Sequence, residues 1–266
     1  MKPRAALFVF HDVVPGDHLA DVAPTHRPYA LTPEEFRTLL VAVSSSPRRA
    51  ATVSGVPGEL GCGFYGLTFD DGAASDYTNV FPALLEAKLR ATFFVVPTLV
   101  ETAGHVTWAQ LREMVAAGME IGSHSLTHPF LNQLDVAGIR REYGDSRAML
   151  EDRLGFGVRT ASLPRGWEPP HLPAVLAELG YRVFCNSRVG WWHPGDEPLS
   201  VPRVAVRHGM TAEEFLAIAN AEPRSLWRLQ AVEAAKNAAK RCLGTGAWQR
   251  LRAPLLGLRY ASGGKA

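Results

Sequence analysis

The sequence predicts a single α/β domain in which short parallel strands alternate with helices and close into a barrel. Short apolar runs bounded by glycine or proline recur along the first 220 residues. Such uninterrupted runs are typical of parallel strands that are buried on both faces. Segments of helical periodicity separate the runs, and this alternation favours βα units with right-handed crossovers. At 266 residues, the chain has the length of one α/β barrel.

The predicted strands are short, apolar and separated by helical segments. They cover residues 5–10, 64–69, 91–96, 119–121, 158–163 and 181–185. Three helix starts carry a capping box, in which a threonine and the Glu or Gln three positions later satisfy the free N–H groups of the first turn. These boxes begin at Thr32, Thr107 and Thr211. Residues 41–63, rich in serine and glycine, predict an irregular connection.

Composition and charge describe an ordinary globular body with a basic end. The 47% hydrophobic and 20% charged residues exclude wholesale disorder, and a net charge of +2 does not favour a nucleic-acid partner. From Glu222 onward nine basic residues stand against two acidic ones, a balance of +7 that leaves the preceding residues at −5. We predict a barrel over residues 1–221 and a basic helical extension over 222–266. The extension offers peripheral contact with an anionic membrane.

Cysteine usage and the N-terminus predict a cytoplasmic protein. Cys62, Cys185 and Cys242, far apart and odd in number, form neither a disulfide framework nor a Cys-x-x-Cys metal site. The apolar run at residues 5–10 is too short for a signal peptide, and nothing approaches the roughly 20 apolar residues of a membrane span. The basic extension adds the inner membrane face as a peripheral location.

Ionisable side chains follow three of the predicted strands, at the ends where α/β barrels build active sites. They are Asp70 and Asp71 after residues 64–69, His124 and His128 after residues 119–121, and His11 and Asp12 after residues 5–10. Each group alone also fits a structural role, as a turn, a surface pair or a histidine bonded to backbone. Their convergence on one rim favours a functional site.

Two imidazoles and one carboxylate bind a divalent ion and leave positions open for water and substrate. Asp71, His124 and His128 supply such a set, and Asp70 is then free to act as a general base in metal-assisted hydrolysis. Adjacent strand residues point to opposite faces, so both aspartates reach one site only if the strand turns at its end, which Gly72 permits.

Two segments around these residues resemble the polysaccharide deacetylase family, the NodB-like homology domain. The segments are Thr68-Phe69-Asp70-Asp71-Gly72 and His124-Ser-Leu-Thr-His128, in this order, and the likeness runs from about residue 5 to residue 220. The resemblance implies an irregular, TIM-like (β/α)7 barrel that removes acetyl groups from N-acetylglucosamine units of a saccharide. It implies a divalent metal, above all zinc, with iron, cobalt, nickel and manganese as alternatives. By matching, Asp70 is the base, and Asp71, His124 and His128 are the metal ligands.

Two family motifs depart from the usual pattern. Ser162 stands where the third motif carries an arginine that orients the base, and Arg165 is merely near in sequence. The late motif, Leu-x-His, has only a weak copy ending at His208. The circularly permuted exopolysaccharide deacetylases carry the general-acid histidine on the first strand, and His11 resembles that version. We therefore predict His11 as the general acid, with His208 as its competitor.

The leading hypothesis is an N-deacetylase acting on a polymeric, oligomeric or lipid-linked amino sugar, with Trp167 and Arg165 as saccharide contacts. One alternative is a family relative that hydrolyses another non-peptide carbon–nitrogen bond. A second, from a different class, is a catalytically silent module that binds saccharide. A metal assay separates the silent module from the two hydrolases.

Overall fold

A computed structural model describes residues 4–20, 22, 24, 26–56, 63–235 and 238. The strands are β1 (Ala6–Phe10), β2 (Arg49–Ala50), β3 (Phe64–Asp71), β4 (Thr92–Val95), β5 (Glu120–Ser123), β6 (Thr160–Ser162), β7 (Val183–Cys185) and β8 (Val204–Ala205). The helices are α1 (Pro33–Ser44), α2 (Phe81–Glu86), α3 (Trp108–Ala116), α4 (Val136–Leu154), α5 (Leu172–Glu178) and α6 (Ala212–Ala219).

A parallel sheet organises the fold. Its strand order is β7-β6-β5-β4-β3-β1-β8, and β2 also pairs with β3. The chain just before β8 links the two sides of this sheet, because Val201 bridges Cys185 of β7 while Val204 pairs with Phe8 of β1. Seven strands thus curve into a half-barrel with helices around it, and the predicted barrel class is confirmed.

The strands are buried on both faces, as their uninterrupted apolar runs predict. Every residue of β1 is buried. Ala6, Phe8 and Phe10 belong to the larger apolar cluster, which includes residues of the helices, whereas Leu7 belongs to a smaller cluster on the opposite face. This double burial explains why the strands show no polar–apolar alternation.

The predicted helix starts are confirmed. The capping boxes at Thr32, Thr107 and Thr211 are all formed, with both reciprocal hydrogen bonds present. Helix α1 continues to Ser44, so the irregular connection predicted from residue 41 begins later. The apolar face of that last turn, with Val43 fully buried, keeps it helical.

The C-terminal part of the described chain packs against the body. Residues 227–235 are helical, Leu226 is buried in the larger cluster, and Val189 donates its N–H to Glu233 at 2.8 Å. Most of the predicted basic extension, residues 239–266, lies outside the described residues, as do Cys62 and Cys242. No helix in the described ranges is both long enough and apolar enough to cross a membrane.

Candidate active site

Asp70 and Asp71 end strand β3, and a backbone turn brings both to one site. Asp71 has φ +80° and Gly72 has φ +75°, so the strand turns where the sequence requires it. The left-handed conformation is unusual for a residue with a side chain, and such strain is characteristic of functional sites. Nε2 of His124 lies 3.4 Å from Oδ1 of Asp71 and 3.8 Å from Oδ2 of Asp70.

Arg203 forms a bidentate salt bridge with the carboxylate of Asp70 through both terminal nitrogens. Nη1 donates to Oδ1 at 2.7 Å and Nη2 donates to Oδ2 at 2.8 Å. Nη1 also donates to Oγ1 of Thr68, and the guanidinium lies over the Phe94 ring. Both partners of the pair are almost fully buried, and a bidentate arginine fixes the plane of a carboxylate as well as its charge.

This pair controls the ionisation of Asp70. Burial by itself would raise the pKa of Asp70, but the charge of Arg203, with contributions from His124 and the Arg203 hydrogen bonds, holds that pKa below its usual range. The same attraction outweighs burial at the guanidinium and raises the pKa of Arg203. Asp70 is therefore an anion at neutral pH, as a general base must be.

Asp71, His124 and His128 form a group that fits a divalent cation. Their ligand atoms all lie within 4.8 Å of one another, and Nε2 of His128 is 3.3 Å from Oδ1 of Asp71. Metal–ligand bonds of about 2.1 Å place neighbouring ligand atoms roughly 3–3.5 Å apart, and the distances from Oδ1 of Asp71 to the two imidazoles, 3.4 Å and 3.3 Å, lie in that range. Nδ1 of His124 is hydrogen-bonded to Oγ of Ser162 at 2.5 Å, which leaves Nε2 as the ligand atom.

The protonation of this group also suits a metal. Burial, together with His124, lowers the pKa of His128 to about 4. Burial would raise the pKa of Asp71, but the hydrogen bond and charge of His124, with His11 and His128, hold it well below its usual range. A neutral imidazole and an ionised carboxylate are the forms that bind metal.

The structure places His11 in this charged cluster and His208 elsewhere. Burial lowers the pKa of His11, and the charges of Asp71 and Asp70 oppose that shift. The ring lies 5.3 Å from that of Tyr29, and its Nδ1 has no hydrogen-bond partner among the described residues. His208 is instead paired with Glu35, its Nδ1 lying 2.9 Å from Oε1.

Ser162 and Arg165, near the third motif, lie at the site but do not hold Asp70 as the family arginine does. Ser162 bonds His124, and its Oγ is 3.5 Å from Oδ1 of Asp70. Arg165, with φ +57°, donates Nε–H to the backbone carbonyl of His128 at 2.8 Å. Trp167 follows it and is half-buried.

The sequence analysis missed two buried charged residues, Arg203 and Asp76. Arg203 lies between Val201 and Val204, in a run too short to predict a strand, and an arginine flanked by apolar residues was its one signal. Asp76 begins a π-helical turn, Asp76–Val80, and its two carboxylate oxygens have no partner within the described chain. Burial, then the nearby charges of Asp12 and Asp71, raise the pKa of Asp76 well above its usual range.

Comparison with known proteins identifies the family to which this fold and site belong. Residues 58–184 match the family model described as polysaccharide deacetylase. A chitooligosaccharide deacetylase of Bradyrhizobium sp. is 38% identical over 153 residues, covering 54% of this chain and 66% of the relative. The Bacillus subtilis protein YxkH is 26% identical over 149 residues, covering 56% of this chain and 53% of YxkH. The match thus spans about half to two thirds of these relatives.

Solved structures share the fold over most of the chain. IcaB from Ammonifex degensii has a TM-score of 0.68 and 26% identity, covering 82% of this chain and 97% of IcaB. The Streptococcus pyogenes deacetylase PplD, solved in complex with acetate, has a TM-score of 0.74 and 21% identity, covering 84% of this chain and 100% of PplD. The chain belongs to the polysaccharide deacetylase family, as its two motifs predict.

Proposed function

We propose that this protein is a metal-dependent hydrolase that removes the N-acetyl group from an N-acetylglucosamine-type saccharide. The observation that carries the proposal is the buried Asp70 carboxylate, fixed by Arg203 beside the group Asp71, His124 and His128. The substrate class rests on the chitooligosaccharide deacetylase relative. Polymeric, oligomeric and lipid-linked forms of the sugar all carry the bond that this chemistry attacks.

Asp71, His124 and His128 would hold the divalent ion, for which zinc is the first choice and iron, cobalt, nickel or manganese are alternatives. Such an ion supplies Lewis acidity, which polarises the acetyl carbonyl and makes water a better nucleophile at neutral pH. Ser162 fixes the ring of His124 through Nδ1, so that Nε2 is presented to the site.

Asp70 takes the proton from the attacking water. Its carboxylate is ionised because Arg203 lowers its pKa, and its plane is fixed by the bidentate contact. A base held in one orientation needs no rearrangement when the proton moves. Arg203 itself keeps its protons and acts through Asp70.

His11, in its imidazolium form, donates a proton to the departing amine nitrogen, which leaves as an amine and not as an amide anion. The negative charges of Asp71 and Asp70 favour that form against the effect of burial. His11 directly follows β1, the neighbour of β3 in the sheet, and it interacts electrostatically with Asp70 and Asp71. We further propose that Trp167 and Arg165 contact the saccharide. Their position after β6 supports this role, since Arg165 is bonded to the backbone of the ligand His128.

Acetate release from a panel of N-acetylglucosamine compounds tests the proposal. Free, nucleotide-linked, lipid-linked and oligomeric sugars would be compared before and after chelation, with metal content measured on the same samples. We expect turnover that is lost with the metal. Asp70→Asn should keep the metal and lose most activity, whereas the His124→Ala, His128→Ala double variant should lose both. Bound metal without acetate release from any sugar would favour a relative acting on another bond, and absence of both would favour the silent module.

A further inference from the structure

The segment that carries the two metal-ligating histidines has an unfavourable backbone conformation. It leaves β5 after Ser123 and forms no helix before Leu131. Ser125 has φ +63° and His128 has φ +59°, the left-handed region in which residues with side chains are uncommon. Such residues are strained, and the conformation persists only where the surroundings enforce it.

Glu142, on the neighbouring helix α4, is hydrogen-bonded to this segment and helps to hold it in that conformation. Its Oε2 accepts the backbone N–H of Leu126 at 3.0 Å and that of Thr127 at 2.9 Å, and its Oε1 accepts the Thr127 hydroxyl at 2.7 Å. The carboxylate is half-buried. Two successive N–H groups that point at one anion form a compact binding site for negative charge, and such charge-assisted bonds are stronger than neutral ones.

The other hydrogen bonds of the segment involve different backbone groups from those that Glu142 accepts. The N–H of His128 is bonded to Oγ of Ser125 at 3.0 Å, and its carbonyl accepts from Arg165 at 2.8 Å. The carbonyl of Leu126 accepts the Thr98 hydroxyl at 2.6 Å. These bonds hold the ends and the carbonyl side of the turn. The two central N–H groups, those of Leu126 and Thr127, are instead bonded to Glu142.

We infer that Glu142 is a positioning residue for the metal site, which it serves by holding the turn between His124 and His128. This inference rests on the proposed function, because it presumes that the two imidazoles bind a cation. An uncharged glutamine can still accept both N–H groups through its single oxygen and donate to the Thr127 hydroxyl, but it lacks the negative charge that strengthens these bonds, and alanine removes the bonds altogether. The two imidazoles would then be less well arranged before the ion binds, and affinity would fall.

The test measures the affinity of the purified protein for Zn²⁺ by competition with a chromogenic chelator. Glu142→Ala should bind Zn²⁺ about 10–100-fold more weakly than the unchanged protein, as is typical when an outer residue of a metal site is lost. Glu142→Gln, which removes only the charge, should show a smaller loss in the same direction. Glu142→Asp, which keeps the charge, should recover part of the affinity. Activity is not needed for this readout.

Glu151→Gln is the matched control, because Glu151 lies on the same helix and also accepts a backbone N–H, that of Val158 at 2.8 Å, far along the chain from the histidines. It should leave Zn²⁺ affinity unchanged even if the melting temperature of the metal-free protein falls. Thr127→Val, which removes one of the three bonds at an exposed position, gives a milder second test and should weaken affinity severalfold.

Unchanged affinity in Glu142→Gln, or in Thr127→Val should Glu142→Gln not fold, would overturn the inference while leaving the proposed function intact. Equal losses of affinity in the Glu142 and Glu151 variants would also overturn it, since they would reveal a general effect on stability. If the unchanged protein itself does not bind Zn²⁺ or another divalent ion, the metal-dependent function fails first.

Discussion

Asp70 and Arg203 show how a single side chain sets the chemistry of the site. The bidentate contact lies in an almost solvent-free environment, where an unpaired charge is costly and a paired one is strongly held. Removing the guanidinium therefore changes the proton affinity of the carboxylate as well as its orientation. The pH dependence of the reaction is the direct readout of this coupling.

We expect Arg203→Met to raise the pKa of Asp70, because burial then acts without the opposing positive charge. A base works only when deprotonated, so the acidic limb of the kcat/KM profile should move upward by about 1–3 pH units. Arg203→Lys keeps the positive charge but not the bidentate contact, and should move the acidic limb by a smaller amount. Profiles measured under matched metal loading decide the matter, and an acidic limb that stays in place in Arg203→Met would contradict this role.

A second residue-level prediction concerns the general acid. His11→Ala should lose about a hundredfold or more in turnover, the range expected for removing an acid, and should retain metal. His208→Ala should lose much less, because that ring is paired with Glu35. Turnover and metal content of both variants are measured together. The reverse pattern would mean that a late-chain histidine supplies the proton.

At the scale of single elements, strand β5 depends on a close approach of its neighbours. A Cβ at Gly122 would meet ring atoms of Phe94 at 2.6 Å and Oγ1 of Thr160 at 2.7 Å. Phe94 is fully buried and belongs to the small cluster on one face of the sheet. The glycine thus allows β4, β5 and β6 to pack beneath the residues that carry the ligands.

Gly122→Ala should therefore destabilise the protein by roughly 1–3 kcal/mol, the usual result of forcing an extra carbon into a packed core. Thermal unfolding should show a melting temperature lower by several degrees. Gly144→Ala on α4 is the control, because its Cβ would meet Leu179 at an ordinary 3.4 Å and alanine favours the helix. Equal melting temperatures for Gly122→Ala and the unchanged protein would refute the packing argument.

At the scale of the whole molecule, charge is concentrated at one end. Residues 239–266 contain six basic and no acidic residues, and we propose that they contact anionic lipid. The predicted boundary at residue 221 is a poor place to truncate, since Leu226 is buried in the body and Glu233 accepts a hydrogen bond from Val189. A chain ending at Ala238 removes the charge and keeps this packing.

The shortened chain should sediment less with anionic vesicles than the full chain, because each lysine or arginine near such a surface adds about 1 kcal/mol of attraction. Vesicles of neutral lipid provide the control, and added salt should weaken binding of the full chain. Equal partitioning of both chains onto anionic vesicles would exclude a membrane role for residues 239–266.

The sequence by itself determined the barrel class and the clustering of Asp71, His124 and His128, the group that could hold a metal ion. Both follow from local rules: uninterrupted apolar runs form parallel strands, and the residues after Phe69 and Ile121 must then meet at one edge of the sheet. The turn at Asp71 could also be predicted from the sequence, since two adjacent aspartates reach one site only if the strand bends.

Only the tertiary structure decided which residue holds the carboxylate of Asp70. Arg203 lies 133 positions from Asp70 in sequence, directly before the two-residue strand β8, which has no periodicity to reveal it. It reaches the carboxylate because the chain before β8 links β7 to β1 across the sheet. The bonds from Glu142 to the turn between His124 and His128 could not be predicted from the sequence for the same reason. A carboxylate on a helix surface carries no sign of which backbone N–H groups it will meet. Contacts made by sheet closure and helix docking depend on the whole fold, so no local pattern records them.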